Sequence, residues 1–184
     1  MSVTPSAMAE LGSLAPNFDL PNVIGNENIQ INKLPQNQAM VVMFICNHCP
    51  YVIYIRDKMI EVANKYLKKG VNFIAISSND VENYPDDSPE KMRQLAKEFN
   101  FKFPYLYDES QEVAKAYRAT CTPDFFIYNK NLKLAYRGQF DDARPGNQKP
   151  ITGQDLSLAL DALLNNNQVA ALQKPSIGCN IKWK

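Results

Sequence analysis

Two cysteines three positions apart are the residues of this 184-residue sequence best suited to chemistry. Cys46 and Cys49 follow an apolar run of β-type residues at positions 41–45, and Pro50 comes directly after them. Because proline suits the first position of a helix and has no N–H for a central strand, we predict a helix that begins at Pro50. Cys49 would then be its N-cap, where unpaired N–H groups and the helix dipole stabilise a thiolate.

The C-x-x-C spacing allows the two sulfurs to form a disulfide, so we interpret Cys46 and Cys49 as a dithiol redox site. Half of a zinc site and two inert buried thiols are the alternatives. A zinc ribbon needs a second ligand pair at similar spacing, which the sequence does not contain. Proximity to the helix favours Cys49 as the nucleophile. The opposite order, with Cys46 attacking first, stays open.

His48, the only histidine of the sequence, lies between the two cysteines. A protonated imidazole at this position would further stabilise a thiolate and raise the oxidising power of the disulfide. The alternative is a solvent-exposed loop residue, and the sequence does not decide between them. A single histidine excludes a His-rich metal site, so we expect no metal. We also expect no cofactor, because a dithiol holds the transferred electrons itself.

Composition points to an ordinary globular protein, with 45% apolar and 21% charged residues. Twenty basic residues against 19 acidic ones give no indication of nucleic acid or an anionic membrane as partner. No apolar run approaches the ~20 residues of a membrane span. The N-terminus lacks the basic start and apolar stretch of a secretory signal. We therefore expect a cytoplasmic protein, in which four cysteines stay mostly reduced.

The hydrophobic pattern predicts one α/β domain over residues 1–184, with a loosely held tail at 1–12 and a C-terminal tail at 165–184. The early β-α-β unit implies parallel strands, and the late hairpin implies antiparallel ones. A mixed sheet with helices on both faces follows. The predicted elements are an N-terminal β-hairpin of residues 14–20 and 28–31 with a Gly25-Asn26 turn, strands at 41–45, 71–77, 124–128 and 132–137, an extended segment at 103–107, and helices at 50–70, 88–99, 110–118 and 152–164.

This order, with C-x-x-C at the start of the first long helix, resembles the thioredoxin fold. More narrowly, the chain is similar to the AhpC/TSA-type thioredoxin-like proteins, which stand between peroxiredoxins and thioredoxins. The similarity covers about residues 11–164. It is carried by L-G-S-L-A-P-N-F-D-L at 11–20, F-I-C-N-H-C-P-Y-V at 44–52, C-T-P-D-F-F-I-Y at 121–128, Y-R-G-Q at 136–139 and the tail P-S-I-G-C-N-I-K-W-K at 175–184.

The resemblance separates two kinds of chemistry. Cys49-Pro50 matches the position of the peroxide-attacking cysteine of peroxiredoxins. Cys46 stands where those enzymes carry a threonine, Val42 where they carry a proline, and Pro123 where they carry an arginine. Pro123 instead resembles the cis-proline of thioredoxins, which faces the dithiol and holds a substrate strand. The resemblance therefore favours dithiol–disulfide exchange over peroxide reduction.

A cis bond before Pro123, which the resemblance implies, would bring Thr122 and Cys121 beside the dithiol as a substrate-binding segment. Cys121 is then either a third redox thiol or a small buried residue. Cys179 is either a resolving thiol on a tail that folds back or a surface thiol without a role.

Polar residues elsewhere are weaker candidates. Asn79 and Asp80 end the second strand, at the sheet edge where α/β proteins gather functional loops, so they are possible supporting residues. Arg137 and Arg144 flank a polar loop at 138–153, where solvated charges are the ordinary expectation. A substrate-facing role is the alternative for Arg144.

Three functions remain open, of which a thiol–disulfide oxidoreductase leads, acting on protein disulfides or dithiols with a thioredoxin-type reductant. The second is a peroxiredoxin-like peroxidase for small peroxides, with a Cys49 sulfenic acid resolved by Cys46. The third is a copper(I) or zinc module built from Cys46, His48 and Cys49, with Cys121 as an optional further ligand. We expect no nucleic-acid or membrane partner, and either a monomer or a homodimer, as peroxiredoxin relatives often dimerise.

Overall fold

The computed structural model describes residues 3–25 and 27–184. Its elements follow the predicted alternation of strands and helices. In chain order they are β1 (Val3–Pro5), β2 (Asp19–Pro21), β3 (Asn28–Gln30), β4 (Ala39–Phe44), α1 (Pro50–Leu67), β5 (Val71–Ser77), α2 (Pro89–Glu98), β6 (Tyr105–Tyr107), α3 (Glu112–Tyr117), β7 (Cys121–Thr122), β8 (Asp124–Asn129), β9 (Leu134–Gly138), α4 (Gln154–Leu164) and β10 (Ile177–Asn180).

The central sheet has five strands in the order β6-β5-β4-β8-β9. Strands β4, β5 and β6 are parallel, whereas β8 is antiparallel to both β4 and β9. The predicted mixed sheet is therefore confirmed. The segment at 103–107, predicted only as extended, contributes β6 at one edge.

Strand β4 is buried along its whole length because helices or the N-terminal segment cover both faces of the sheet. Its alternate side chains enter two different apolar layers. Val41 and Met43 pack with residues of α1, α2 and α4. Met40, Val42 and Phe44 pack with α3 and with the segment that carries β2. Helices on both faces, as predicted, are thus confirmed.

Both ends of the chain are built into a second sheet, which corrects the prediction of two tails. Strand β10 lies between β1 and β7 and is antiparallel to each of them. Residues 3–5 within the predicted N-terminal tail and residues 177–180 within the predicted C-terminal tail are therefore strands. Local periodicity did not reveal them, since each pairs with a segment far away in the chain.

Smaller differences concern element boundaries. Strands β2 and β3 form the predicted antiparallel hairpin, but each has only three residues. The predicted turn includes Asn26, which lies outside the described residues. Ile31, predicted as strand, begins a 3₁₀ turn, Ile31–Lys33. Within the described part of the chain, no helix combines the length and the apolarity that crossing a membrane requires.

Candidate active site

The loop between β4 and α1 brings the two cysteines to the start of a helix. Cys49 is the N-cap of α1, with an extended backbone (φ −69°, ψ 120°), and Pro50 is the first helical residue, as predicted. The thiols of Cys46 and Cys49 are close enough for each to shift the pKa of the other. Both residues are thiols here, and they are 2% and 0% exposed.

Thr122 contacts both cysteines. The Cys49 thiol donates a hydrogen bond of 3.1 Å to the Thr122 carbonyl, and the Cys46 sulfur lies 3.4 Å from the Thr122 hydroxyl. The Thr122–Pro123 bond is cis, as the family resemblance implied. The structure thus brings the backbone of β7 beside the dithiol.

Asp87 fixes the loop that carries the cysteines, a role that the sequence analysis did not predict. Its side chain is fully buried, in the 3₁₀ turn Pro85–Asp87. One carboxylate oxygen accepts hydrogen bonds from the backbone N–H groups of Asn47, at 2.7 Å, and His48, at 3.3 Å. The other accepts a bond of 2.8 Å from the Asn79 amide. Asn79 therefore supports the cysteine loop indirectly, through its hydrogen bond to Asp87.

The His48 side chain is held on two sides. Its Nδ1 lies 2.6 Å from the second oxygen of Asp87, and its ring stacks on Tyr84 with centroids 5.4 Å apart. Only 18% of the side chain is exposed. The alternative of a solvent-exposed loop residue is therefore wrong, because the imidazole is fixed beside the cysteine loop.

Hydrogen bonding lowers the pKa of the Cys49 thiol. The largest cause is the bond from Cys46, which outweighs the opposing effect of burial. Thr122, the Cys179 thiol and the backbone N–H of Val52 lower it further. The Val52 N–H belongs to the first turn of α1, so the helix start contributes although no ideal side-chain cap bond forms.

The pKa of the Cys46 thiol is raised well above its usual value. Its hydrogen bond to Cys49 is the largest cause, followed by burial and the negative charge of Asp87. The two shifts have one physical origin, because two close sulfurs in a buried site share one proton more easily than they lose two. The dithiol therefore carries its first negative charge on Cys49.

The other two cysteines lie on different sides of β7 and β10. The Cys121 sulfur faces the Pro123 carbonyl at 3.8 Å, away from the apolar cluster that holds the dithiol, and burial raises its pKa strongly. Cys179 lies in β10 and is 2% exposed, and burial, followed by the neighbouring Cys49 thiol, raises its pKa to about 12. The surface-thiol alternative for Cys179 is therefore wrong.

The remaining polar candidates are engaged elsewhere. Arg137 donates to the Ala9 carbonyl at 2.8 Å and to the side chain of Gln173. Arg144 donates to carbonyls of its own loop, among them that of Asp141 at 2.6 Å. Asp80 caps its own turn.

Three ligand-type side chains come together beside the dithiol. One ligand atom from each of Cys46, His48 and Asp87 lies within 4.8 Å of the others, which is a set that zinc accepts. The set predicted from the sequence included Cys49 and Cys121 in place of Asp87. A metal bound through Nδ1 and the carboxylate would have to replace the 2.6 Å hydrogen bond between His48 and Asp87.

Comparisons with known proteins identify the family of the chain. The sequence profile described as AhpC/TSA family matches residues 11–137. An uncharacterized conserved protein from Geobacillus kaustophilus, known from its crystal structure, is 53% identical, with a TM-score of 0.98 over 100% of this chain and 97% of that one. The curated protein thiol-disulfide oxidoreductase ResA from Bacillus thuringiensis is 25% identical over 71% of this chain and 70% of its own length.

More distant structures define the fold. A thiol:disulfide interchange protein of the thioredoxin family from Chlorobium tepidum has a TM-score of 0.63 at 17% identity, over 86% of this chain and 99% of that one. At such identity the similarity concerns the fold alone. The thioredoxin fold predicted from the sequence is confirmed by it.

Proposed function

This chain belongs to the AhpC/TSA family, and on that premise we propose that it is a thiol–disulfide oxidoreductase whose reacting groups are Cys46 and Cys49. The observation that carries the proposal is the position of the two cysteines at the start of α1, where Cys49 is the N-cap and Pro50 the first helical residue. Their shared contact with Thr122 supports it. The resemblance to a curated protein named thiol-disulfide oxidoreductase agrees with it.

In the first step the Cys49 thiolate attacks one sulfur of a substrate disulfide. The bond between Cys49 and that sulfur forms, the substrate disulfide breaks, and the second substrate sulfur leaves as a thiolate that takes up a proton. Cys46 then loses its proton and attacks Cys49. The Cys46–Cys49 disulfide forms, the first substrate sulfur is released, and two electrons have passed from the dithiol to the substrate. A thioredoxin-type reductant restores the dithiol.

The second step requires a thiolate on Cys46, whose pKa is raised. We assign His48 to this step as a positioning and charge-stabilising residue. Its imidazole is held by Asp87, and it lies within 4.8 Å of the Cys46 sulfur. A protonated imidazole at that distance lowers the free energy of the neighbouring thiolate.

Peroxide reduction has less support from the same site. Peroxiredoxins need an arginine near the reacting sulfur, and Pro123 occupies that position here. Arg137 and Arg144 bind backbone and side-chain groups elsewhere.

The test is the redox equilibrium of the Cys46–Cys49 pair in dithiothreitol and glutathione buffers, read by alkylation of the remaining thiols and mass spectrometry. A potential of about −270 mV indicates a reductant, and one of about −120 mV indicates an oxidant. Cys46→Ser and Cys49→Ser should abolish turnover of a protein disulfide, whereas Cys121→Ser should retain it. Absence of a Cys46–Cys49 disulfide in every buffer would overturn the proposal.

Stopped-flow oxidation by hydrogen peroxide tests the alternative function. A rate equal to that of a simple thiol would exclude a peroxidase.

A further inference from the structure

The C-terminal strand lies directly on the segment that contacts the dithiol. Strand β10 pairs antiparallel with β7, with Cys179 opposite Thr122 and Asn180 opposite Cys121. The Thr122 carbonyl also accepts the hydrogen bond from Cys49. One residue of β7 therefore adjoins Cys49 through its carbonyl and Cys179 through the strand register.

Three of the four sulfurs belong to one buried cluster. Cys46, Cys49 and Cys179 all pack in the apolar layer around α1, and each is at most 2% exposed. Strand β10 packs against α1 itself. The neighbouring thiols of Cys46 and Cys179 both lower the pKa of Cys49.

Strand β10 has a fixed position, so the approach of Cys179 to Cys49 does not depend on a loose tail. A Cβ on Gly178 would lie 2.0 Å from the Thr122 carbonyl oxygen, which means that the two strands are in direct backbone contact. Beyond the strand, the Lys182 N–H donates a bond of 2.8 Å to the Asn79 side chain. The chain is therefore held on both sides of Cys179.

We propose that Cys179 is a third redox thiol, which exchanges with the Cys46–Cys49 disulfide. The proposal rests on the proposed function, because substrate reduction supplies that disulfide. The Cys179 thiolate attacks Cys49, the Cys49–Cys179 bond forms, and the Cys46–Cys49 bond breaks. Cys46 leaves as a thiolate and takes the proton that Cys179 gave up, so no outside oxidant or reductant is consumed.

The exchange changes which cysteine of the site is a free thiol. It returns Cys46 as a thiol while the two oxidising equivalents stay in the protein, and it ties β10 covalently to the start of α1. Cys121 takes no part, because its sulfur faces the Pro123 carbonyl on the other side of β7. Cys121 is therefore the matched control for Cys179.

The experiment uses Cys46→Ser, which removes the ordinary disulfide and leaves Cys49, Cys121 and Cys179. After treatment with diamide, thiols are counted in denaturant and disulfides are mapped by mass spectrometry without reduction. We expect loss of two thiols per chain, a Cys49–Cys179 disulfide, and Cys121 as the remaining thiol. Adding Cys121→Ser should leave that disulfide unchanged, whereas adding Cys179→Ser should prevent any disulfide within the chain.

Retention of all thiols in Cys46→Ser, a Cys49–Cys121 disulfide, or dimers alone would overturn the proposal. If that variant does not fold, the same disulfide mapping is made on the wild-type protein titrated with diamide. There Cys179 must appear in a disulfide with Cys49 in part of the oxidised chains, and its absence at every diamide ratio refutes the exchange. Formation of the Cys46–Cys49 disulfide in the same titration tests the proposed function separately.

Discussion

Nδ1 of His48 lies 2.6 Å from the Asp87 carboxylate, although the two residues are separated by 39 positions. The same carboxylate accepts the backbone N–H of Asn47, and no part of it is exposed. One buried side chain from the turn after β5 therefore fixes the backbone between the cysteines and the ring of the only histidine.

Replacing this carboxylate should loosen the active-site loop. In Asp87→Ala the half-buried donors of Asn47 and His48 and the buried donor of Asn79 lose their acceptor, and an unsatisfied buried group costs about 1–3 kcal/mol. We expect the free energy of unfolding in urea to fall by about 3 kcal/mol. Asp86→Ala is the matched control, because the neighbouring Asp86 side chain is exposed and only its backbone carbonyl binds Asn47.

Asp87→Asn separates charge from structure. The amide keeps one acceptor oxygen but removes the negative charge that raises the pKa of Cys46. We therefore expect the pKa of Cys46 to fall, measured as the pH dependence of its alkylation in Cys49→Ser. A rise in the pKa of Cys46 would contradict the electrostatic argument. A loss of stability in Asp86→Ala equal to that in Asp87→Ala would contradict the structural argument.

The two active-site thiols should titrate in a defined order. In Cys46→Ser the serine hydroxyl can take the place of the Cys46 thiol, which lowers the pKa of Cys49. In Cys49→Ser, Cys46 keeps its burial and the charge of Asp87, both of which raise its pKa. We expect Cys49 to form a thiolate at lower pH than Cys46, measured by thiolate absorbance.

Both titrations are best made with Cys121→Ser added, since this removes a thiol outside the site. A lower pKa for Cys46 would reverse the assigned order of attack. Substrate reduction would then begin at Cys46, and Cys49 would be the resolving cysteine.

The features that the sequence predicted well depend on residues close together in the chain. An apolar strand, two cysteines and Pro50 lie within a few positions of one another, and their types specify both the strand and the helix start. The cis bond before Pro123 is different, because only the family resemblance indicated it.

What the sequence did not predict depends on distant pairs. Strand β1 pairs with β10, more than 170 positions later, and neither strand has a pattern long enough to identify it. Asp87 is one of several acidic residues in a polar loop, and its neighbour Asp86 has the same side chain but is exposed. Only the folded chain selects the member that becomes buried against the cysteine loop.

Gly178→Ala tests the contact between β10 and β7. An added Cβ would lie 2.0 Å from the Thr122 carbonyl oxygen, so one of the two strands must move. We expect a loss of about 1–3 kcal/mol in unfolding free energy, because forced overpacking usually costs that much. We also expect Cys179 to be alkylated faster in the native state.

Gly146→Ala is the comparison variant, since nothing lies within 4 Å of its added Cβ and only its φ of +86° is unfavourable. That strain alone should cost about 1 kcal/mol and leave the alkylation rate of Cys179 unchanged. Equal alkylation of Cys179 in both variants would show that Gly178 does not hold the strand.

Asp124 should make the stability of the protein depend on pH. Its side chain is fully buried, one oxygen accepts a bond of 2.8 Å from the Ser6 hydroxyl, and the other has no partner among the described residues. Burial raises its pKa from 3.8 to about 8. Between these two values the folded state holds a proton that the unfolded chain has lost, so a rise in pH disfavours folding across this window.

Asp124→Asn removes this titration while keeping an acceptor for Ser6. The stability of the variant relative to wild type should therefore increase as the pH rises from about 4 to about 8, by at most ~1.4 kcal/mol for each unit of pKa shift. Ser6→Ala should raise the upper limit of this pH window, because the Ser6 hydrogen bond lowers the pKa of Asp124 in the folded state. Urea unfolding under reducing conditions at several pH values measures both effects. A stability difference that stays constant or falls with pH would mean that Asp124 is ionised in the folded protein.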